Sequence, residues 1–321
     1  MTAAAGETRL FRITLEKTIP LPVTTGGKML KLEGSFTAMV TPFRNGQIDE
    51  AKIREMVEFQ IKNGTAGLVP CGTTGESPTL THEEHRRVIE IVIDQAGSRT
   101  LVLAGTGSNN TSEAISLTEH AMKMGADAAL LITPYYNRPS QPGLIKHYTT
   151  VAKHCSIPLI IYNCPGRTAV NTTADTIVEL AAVPNILGVK EASGNMDQIC
   201  EIILRTPDNF FVLSGDDSMT LSMMAVGAKG VISVISNILP RKMADMVESA
   251  LKNDFKSARV IHNEMFLLMR ALMKVETNPS PIKTAMNILG LEMGPVRLPL
   301  VEPDEAGKAA LEKLIKHIKL K

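Results

Sequence analysis

Eight short apolar runs, separated by stretches with a helical period, set the tightest limit on what this chain can fold into. The runs cover residues 36–42, 67–72, 101–106, 128–134, 158–164, 186–192, 210–215 and 231–236. Each is rich in Val, Ile and Leu and ends in small, polar or Gly/Pro residues, as strands buried on both faces of a parallel sheet do. Between them the apolar residues recur every three or four positions. Ile53, Met56, Val57 and Ile61 share one helix face, as do His85, Val88, Ile89, Val92 and Ala96. Ala114, Leu117, Ala121 and Met124 form a third stripe, and Met243, Met246, Val247 and Ala250 a late one. Thr81 with Glu84 reads as a capping box, and Thr111 as an N-cap. Eight strands alternating with eight helices predict an α/β fold, the (β/α)8 barrel. A doubly wound sheet competes, but no GxGxxG follows the first run, and eight even repeats favour closure.

Outside 33–252, the predicted barrel, the pattern changes. Residues 1–32 keep neither period and carry Pro20, Pro22 and Gly26-Gly27, so they read as a flexible extension. Residues 253–321 show only helical stripes, at 255–275, 279–289 and 305–320, and read as a C-terminal helical region packed on the barrel. The Met265, Leu268, Met269, Leu272 stripe is core or subunit interface before it is a cofactor box.

Charge and cysteines narrow the partners. The formal charge is +1, from 34 basic and 33 acidic side chains, which argues against nucleic-acid and membrane-surface binding. No run approaches the roughly 18 apolar residues of a membrane span, and no charged-then-apolar leader opens the chain. Cys71, Cys155, Cys164 and Cys200 are too scattered for a disulfide scaffold and form no CxxC. They read as reduced thiols of a cytoplasmic protein.

Active sites of such barrels lie at the C-terminal ends of the strands. The sixth run ends Gly188-Val189-Lys190, a buried-strand pattern terminating in an ammonium. A lysine desolvated in the barrel mouth has a lowered pKa, and its amine forms a Schiff base with a carbonyl. A strand-end lysine that snorkels to solvent is the plain alternative. Imine chemistry needs proton transfers, which Tyr162 on the preceding strand can shuttle with Thr73 and Tyr136 as relay hydroxyls. For either tyrosine alone, a rim residue with packed ring and wet hydroxyl is an equal reading. The Thr73-Thr74-Gly75 turn suits a small carboxylate, since Asp216 and Asp217 would repel phosphate. Arg167 can grip a second carboxylate through its planar fork. Two carboxylate holders around one amine suggest a keto-acid joined to a second acidic partner. His82-Glu83-Glu84-His85 lacks HExxH spacing, and no metal or cofactor is expected.

These residues also carry a resemblance. Gly72-Thr73-Thr74-Gly75-Glu76, Thr133-Pro134-Tyr135-Tyr136-Asn137, Tyr162-Asn163 with Pro165-Gly166-Arg167-Thr168, and Gly188-Val189-Lys190-Glu191-Ala192 resemble the dihydrodipicolinate synthase family of the class I aldolase superfamily. Gly215-Asp216-Asp217, Gly230-Val231-Ile232-Ser233, Asn278-Pro279 and Arg297-Leu298-Pro299 extend the likeness to the C-terminus. The resemblance implies condensation of pyruvate with L-aspartate 4-semialdehyde to 4-hydroxy-tetrahydrodipicolinate, the committed step towards diaminopimelate and lysine. It implies a homotetramer built as a dimer of dimers. Lys190 then forms the pyruvate imine, and Tyr162, Thr73 and Tyr136 relay protons, Tyr136 from across the tight-dimer interface. Thr73 and Thr74 hold the pyruvate carboxylate, Gly215 and the Ile232 carbonyl line the pocket, and Arg167 binds the semialdehyde. The resemblance further implies an L-lysine effector at Ser77, His82, His85, Gly107, Asn109, Glu113 and Tyr135, beside Pro78, where inhibited members commonly have a smaller residue. The rival readings are a sister pyruvate aldolase (N-acetylneuraminate lyase or a 2-keto-3-deoxy sugar-acid aldolase) and a non-catalytic sensor barrel. Thr73-Thr74 and Arg167 favour the synthase over the first, and the complete set of reacting groups disfavours the second.

Overall fold

A computed structural model describes residues 24–25 and 28–316. The eight predicted strands are all present: β1 (Gly34–Ala38), β2 (Gly67–Val69), β3 (Leu101–Gly105), β4 (Ala128–Ile132), β5 (Leu159–Asn163), β6 (Ile186–Glu191), β7 (Phe211–Ser214) and β8 (Gly230–Ser233). Each pairs in parallel with its neighbours, and β8 pairs with β1, so the sheet closes into a barrel.

Helices return the chain after each strand: α1 (Glu50–Lys62), α2 (His82–Ala96), α3 (Thr111–Met124), α4 (Gln141–His154), α5 (Ala174–Leu180), α6 (Met196–Arg205), α7 (Thr220–Ala225) and α8 (Pro240–Leu251). Three more follow, α9 (Phe255–Lys274), α10 (Ser280–Ile288) and α11 (Glu305–Ile315). The Thr81–Glu84 capping box starts α2. At α3 the cap is Asn110, not Thr111: the Asn110 side chain accepts from the Ser112 N–H, and Thr111 is already helical.

Period-two alternation sorts the strand residues into two cores. On β5, Leu159 and Ile161 face the helices, while Ile160 and Tyr162 face the barrel interior. On β4, Ala128 and Leu130 point inward, and Ala129 and Leu131 outward. The interior also receives Leu30 and Leu32, both buried, on the approach to β1. The segment expected as a loose extension therefore contributes core residues at its end, because two leucines leading into the barrel are stabilised by leaving water. The rest of that expectation lies outside the described residues, apart from a short ribbon of Thr24–Thr25 with Lys28–Met29. No described helix is long and apolar enough to cross a membrane.

Candidate active site at the barrel mouth

Lys190 is the penultimate residue of β6, and which way it points depends on a fault in the strand. Ile186 packs in the outer core, so strict alternation would send Gly188 and Lys190 outward too. The β5–β6 register instead shifts between Ile186 and Gly188. Leu187 then faces the interior, Val189 the helices and Lys190 the interior. Gly188 permits this close fit, since a Cβ there would lie 2.4 Å from the Phe211 carbonyl oxygen on β7.

The Lys190 side chain is 6% exposed and its Nζ lies 4.0 Å from the centre of the Tyr162 ring. Burial pulls its pKa down to about 8, and Arg167 acts in the same direction, while Cys164 and Asp217 resist. The amine is thus partly neutral near physiological pH, the state a nucleophile requires. Gly215, next along after β7, leaves room beside it: a Cβ would come within 3.3 Å of Lys190 Cε and 2.7 Å of the Ala192 Cβ. Ile232 on β8 is buried in the same interior cluster.

Tyr162 is buried, which raises its pKa, as does Cys164; a hydrogen bond with the Thr73 side chain and the charge of Arg167 oppose the rise. Thr73 and Thr74 sit in a tight turn after β2. The N–H groups of Gly75, Glu76 and Ser77 bond back to Thr73 and Gly72 carbonyls. Those of Thr73 and Thr74 make no hydrogen bond among the described residues, which leaves two amide donors available at the turn. Glu76 closes the turn at φ 56°, a left-handed conformation that a non-glycine residue holds only when its surroundings fix it. Here Lys283 Nζ donates to Glu76 Oε1 at 2.7 Å and the Arg297 N–H to Oε2 at 2.9 Å. Lys283 is itself pushed down to about 8 by burial, against the pull of Glu76.

Arg167 lies on the short helical turn Pro165–Thr168 after β5, and its Nη2 donates to the Asn278 carbonyl at 3.0 Å. A cavity of about 440 Å³ joins Thr73, Tyr162 and Arg167 to Ser77, Pro78, His82, His85, Gly107, Glu113 and Tyr135. Lys190 is not on its wall but packs against the Tyr162 ring, which is. At the far end His82 Nε2 meets Glu113 Oε1 at 2.7 Å, and the Ser108 hydroxyl donates to the same carboxylate. His85 is pushed down to about 4, first by burial and then by the neighbouring His82, while the Gly105 backbone opposes the shift. Burial and Glu113 raise the Tyr135 pKa. Of the effector residues, Asn109 stands apart: its carbonyl accepts from Asn137 Nδ2, and it does not line the cavity. Tyr136 is not brought to Lys190 either. It is 90% exposed at φ 69°.

Several polar groups around the site were given no structural role by the sequence reading. Glu191 turns outward from Lys190 into a buried network, accepting from Asn163 Nδ2 at 3.0 Å, Gln198 Nε2 at 3.3 Å and the Ser193 N–H at 2.6 Å. A carboxylate directly after Lys190 in an apolar run was its only signal. Asp217 is buried, its pKa raised to about 6 by burial, and its Oδ2 accepts from the N–H groups of Val234 and Ile235 just beyond β8. Ser108 carried no local pattern, and Asn278 entered only through the Asn278-Pro279 likeness, with no role attached.

A closed parallel barrel that gathers a buried primary amine and a buried phenol near its C-terminal mouth has the architecture of a (β/α)8-barrel enzyme. The model of the dihydrodipicolinate synthetase family matches residues 31–318, and the chain belongs to that family. It is 50% identical over 285 residues to the 4-hydroxy-tetrahydrodipicolinate synthase of Syntrophus aciditrophicus, covering 89% of this chain and 98% of that one. The dihydrodipicolinate synthase structure from Aquifex aeolicus superposes with a TM-score of 0.87 at 48% identity, over 89% of this chain and 97% of that one. The Cyanidioschyzon merolae enzyme, solved with lysine bound, gives 0.87 at 36% identity, over 90% and 99%.

Proposed function

We propose that this chain condenses pyruvate with L-aspartate 4-semialdehyde through an imine on Lys190, as a 4-hydroxy-tetrahydrodipicolinate synthase. The carrying observation is the buried Lys190 amine against Tyr162 in a chain so similar to enzymes of that name. The neutral amine adds to the pyruvate ketone, and water leaves as the imine forms. Tyr162 and Thr73 pass the protons, and loss of a methyl proton gives the enamine. Its carbon bonds to the aldehyde of the second substrate. The amino group of that substrate then attacks the imine carbon, closes the ring and frees Lys190. Thr73 and Thr74 hold the pyruvate carboxylate, Arg167 the other one, and Gly215 and Ile232 shape the pocket. No cofactor takes part in this sequence.

The working form is a dimer of dimers in which Tyr136 completes the relay of a partner's site, which suits its exposure here. The polar far end of the cavity takes L-lysine as an effector, its ammonium facing Glu113. Free cysteines suit the cytoplasm. Borohydride reduction with pyruvate, followed by peptide mapping, is the test. A stable adduct on Lys190, and turnover once the semialdehyde is added, support the assignment; an unmodified Lys190 rejects it. Effector binding is checked separately by rate loss at millimolar lysine.

A further inference from the structure

Three segments far apart in sequence meet at Asn278, which lies between α9 and α10. Its side chain is buried, and its Nδ2 donates to Thr74 Oγ1 at 3.1 Å. Its main-chain carbonyl accepts from Arg167 Nη2 at 3.0 Å, which fixes the backbone from which the side chain reaches Thr74. Its Oδ1 has no hydrogen-bond partner among the described residues. A buried amide with an unpaired oxygen is a poor device for stability, because a desolvated acceptor costs more than an apolar group of the same shape. The bond to Thr74 is what the side chain supplies.

That bond has a direction. A hydroxyl that accepts from an amide N–H is left to donate its own proton elsewhere. The Thr74 hydroxyl donates to no acceptor among the described residues, so its proton is left for a ligand at the turn. We propose that Asn278 is a positioning residue that orients the Thr74 hydroxyl as a donor to the keto-acid carboxylate; this rests on the reading of the site given under Proposed function. The C-terminal helical region is then part of the substrate site, holding Thr74 through Asn278 and Glu76 through Lys283.

Polarity provides the test. Asn278→Asp keeps the shape but replaces the donor by acceptors, so the Thr74 hydroxyl turns to donate to Asn278→Asp's carboxylate and is lost to pyruvate. Asn278→Ala removes the donor with less steric demand. The readout is the pyruvate concentration that half-saturates borohydride trapping of Lys190, without the second substrate. Both variants are expected to raise it roughly tenfold or more, Asn278→Asp the further, with unchanged circular dichroism. In steady state the KM for pyruvate rises more than that for the semialdehyde, since the carbonyl to Arg167 is retained. Thr74→Val combined with Asn278→Ala is no worse than Thr74→Val alone, as residues acting through one contact are not additive. Half-saturation within twofold of the unmodified protein in either folded variant, or multiplicative losses in the double variant, overturns the inference. No trapping in the unmodified protein rejects the site reading, and this inference with it.

Discussion

Lys190 combines two properties that oppose each other. In the proposed reaction its amine is useful because it is buried, and the same burial makes its charged form costly to the fold. The native pKa is about 8, against 10.5 for an unperturbed lysine. Between those values the unfolded chain holds a proton that the native protein has released, so stability rises with pH across that window. Below about pH 8 the native protein carries the buried charge. Lys190→Met is therefore expected to abolish turnover yet stabilise the protein at pH 7, by at most about 3 kcal/mol. Chemical denaturation at pH 7 and pH 10 checks this, and the gain should shrink at the higher pH. In the unmodified enzyme, the rate of imine trapping should climb as pH passes through about 8. A climb centred near the ordinary lysine value would mean that the amine is not desolvated in solution.

At the level of elements, the barrel was legible because eight runs of Val, Ile and Leu have nowhere to go but a sheet covered on both faces. The inward turn of Lys190 was not legible. It depends on a register shift between Ile186 and Gly188 that no local pattern encodes, and simple alternation from Ile186 gives the opposite face. The proximity of Tyr162 could be read from strand order, since β5 and β6 are neighbours. The reach of Asn278 to Thr74 could not, because it spans 204 positions and belongs to no period. The Glu76–Lys283 pair is similar: two charges, each nearly inaccessible, are joined across the β2 turn and α10. Removing one partner strands the other in the interior. Glu76→Gln is expected to cost about 3–5 kcal/mol, and Glu76→Leu with Lys283→Leu distinctly less, as paired replacement leaves no orphan charge. Urea unfolding of the single and double variants measures the difference. The leucines before β1 set a related expectation. Leu32→Ala should cost about 2–5 kcal/mol, because Leu32 is fully buried in the barrel interior.

For the whole molecule, Tyr136 is a residue whose placement one chain does not explain. It is 90% exposed at φ 69°, a conformation costly for a non-glycine residue, and its side chain makes no hydrogen bond among the described residues. Asn137, next to it, ties its loop to the Asn109 carbonyl, so the tyrosine is presented on an anchored loop. If it serves a neighbour's site, two separately inactive variants must rescue each other. Lys190→Ala keeps Tyr136, and Tyr136→Phe keeps Lys190. In a mixed pair, the subunit that has Lys190 receives the hydroxyl from its partner, and that one site is whole. Random pairing makes half the dimers mixed, each with one working site of two, so about a quarter of full activity should return after the variants are unfolded together and refolded. A tyrosine acting within its own chain predicts no recovery at any mixing ratio, because no subunit then holds both groups.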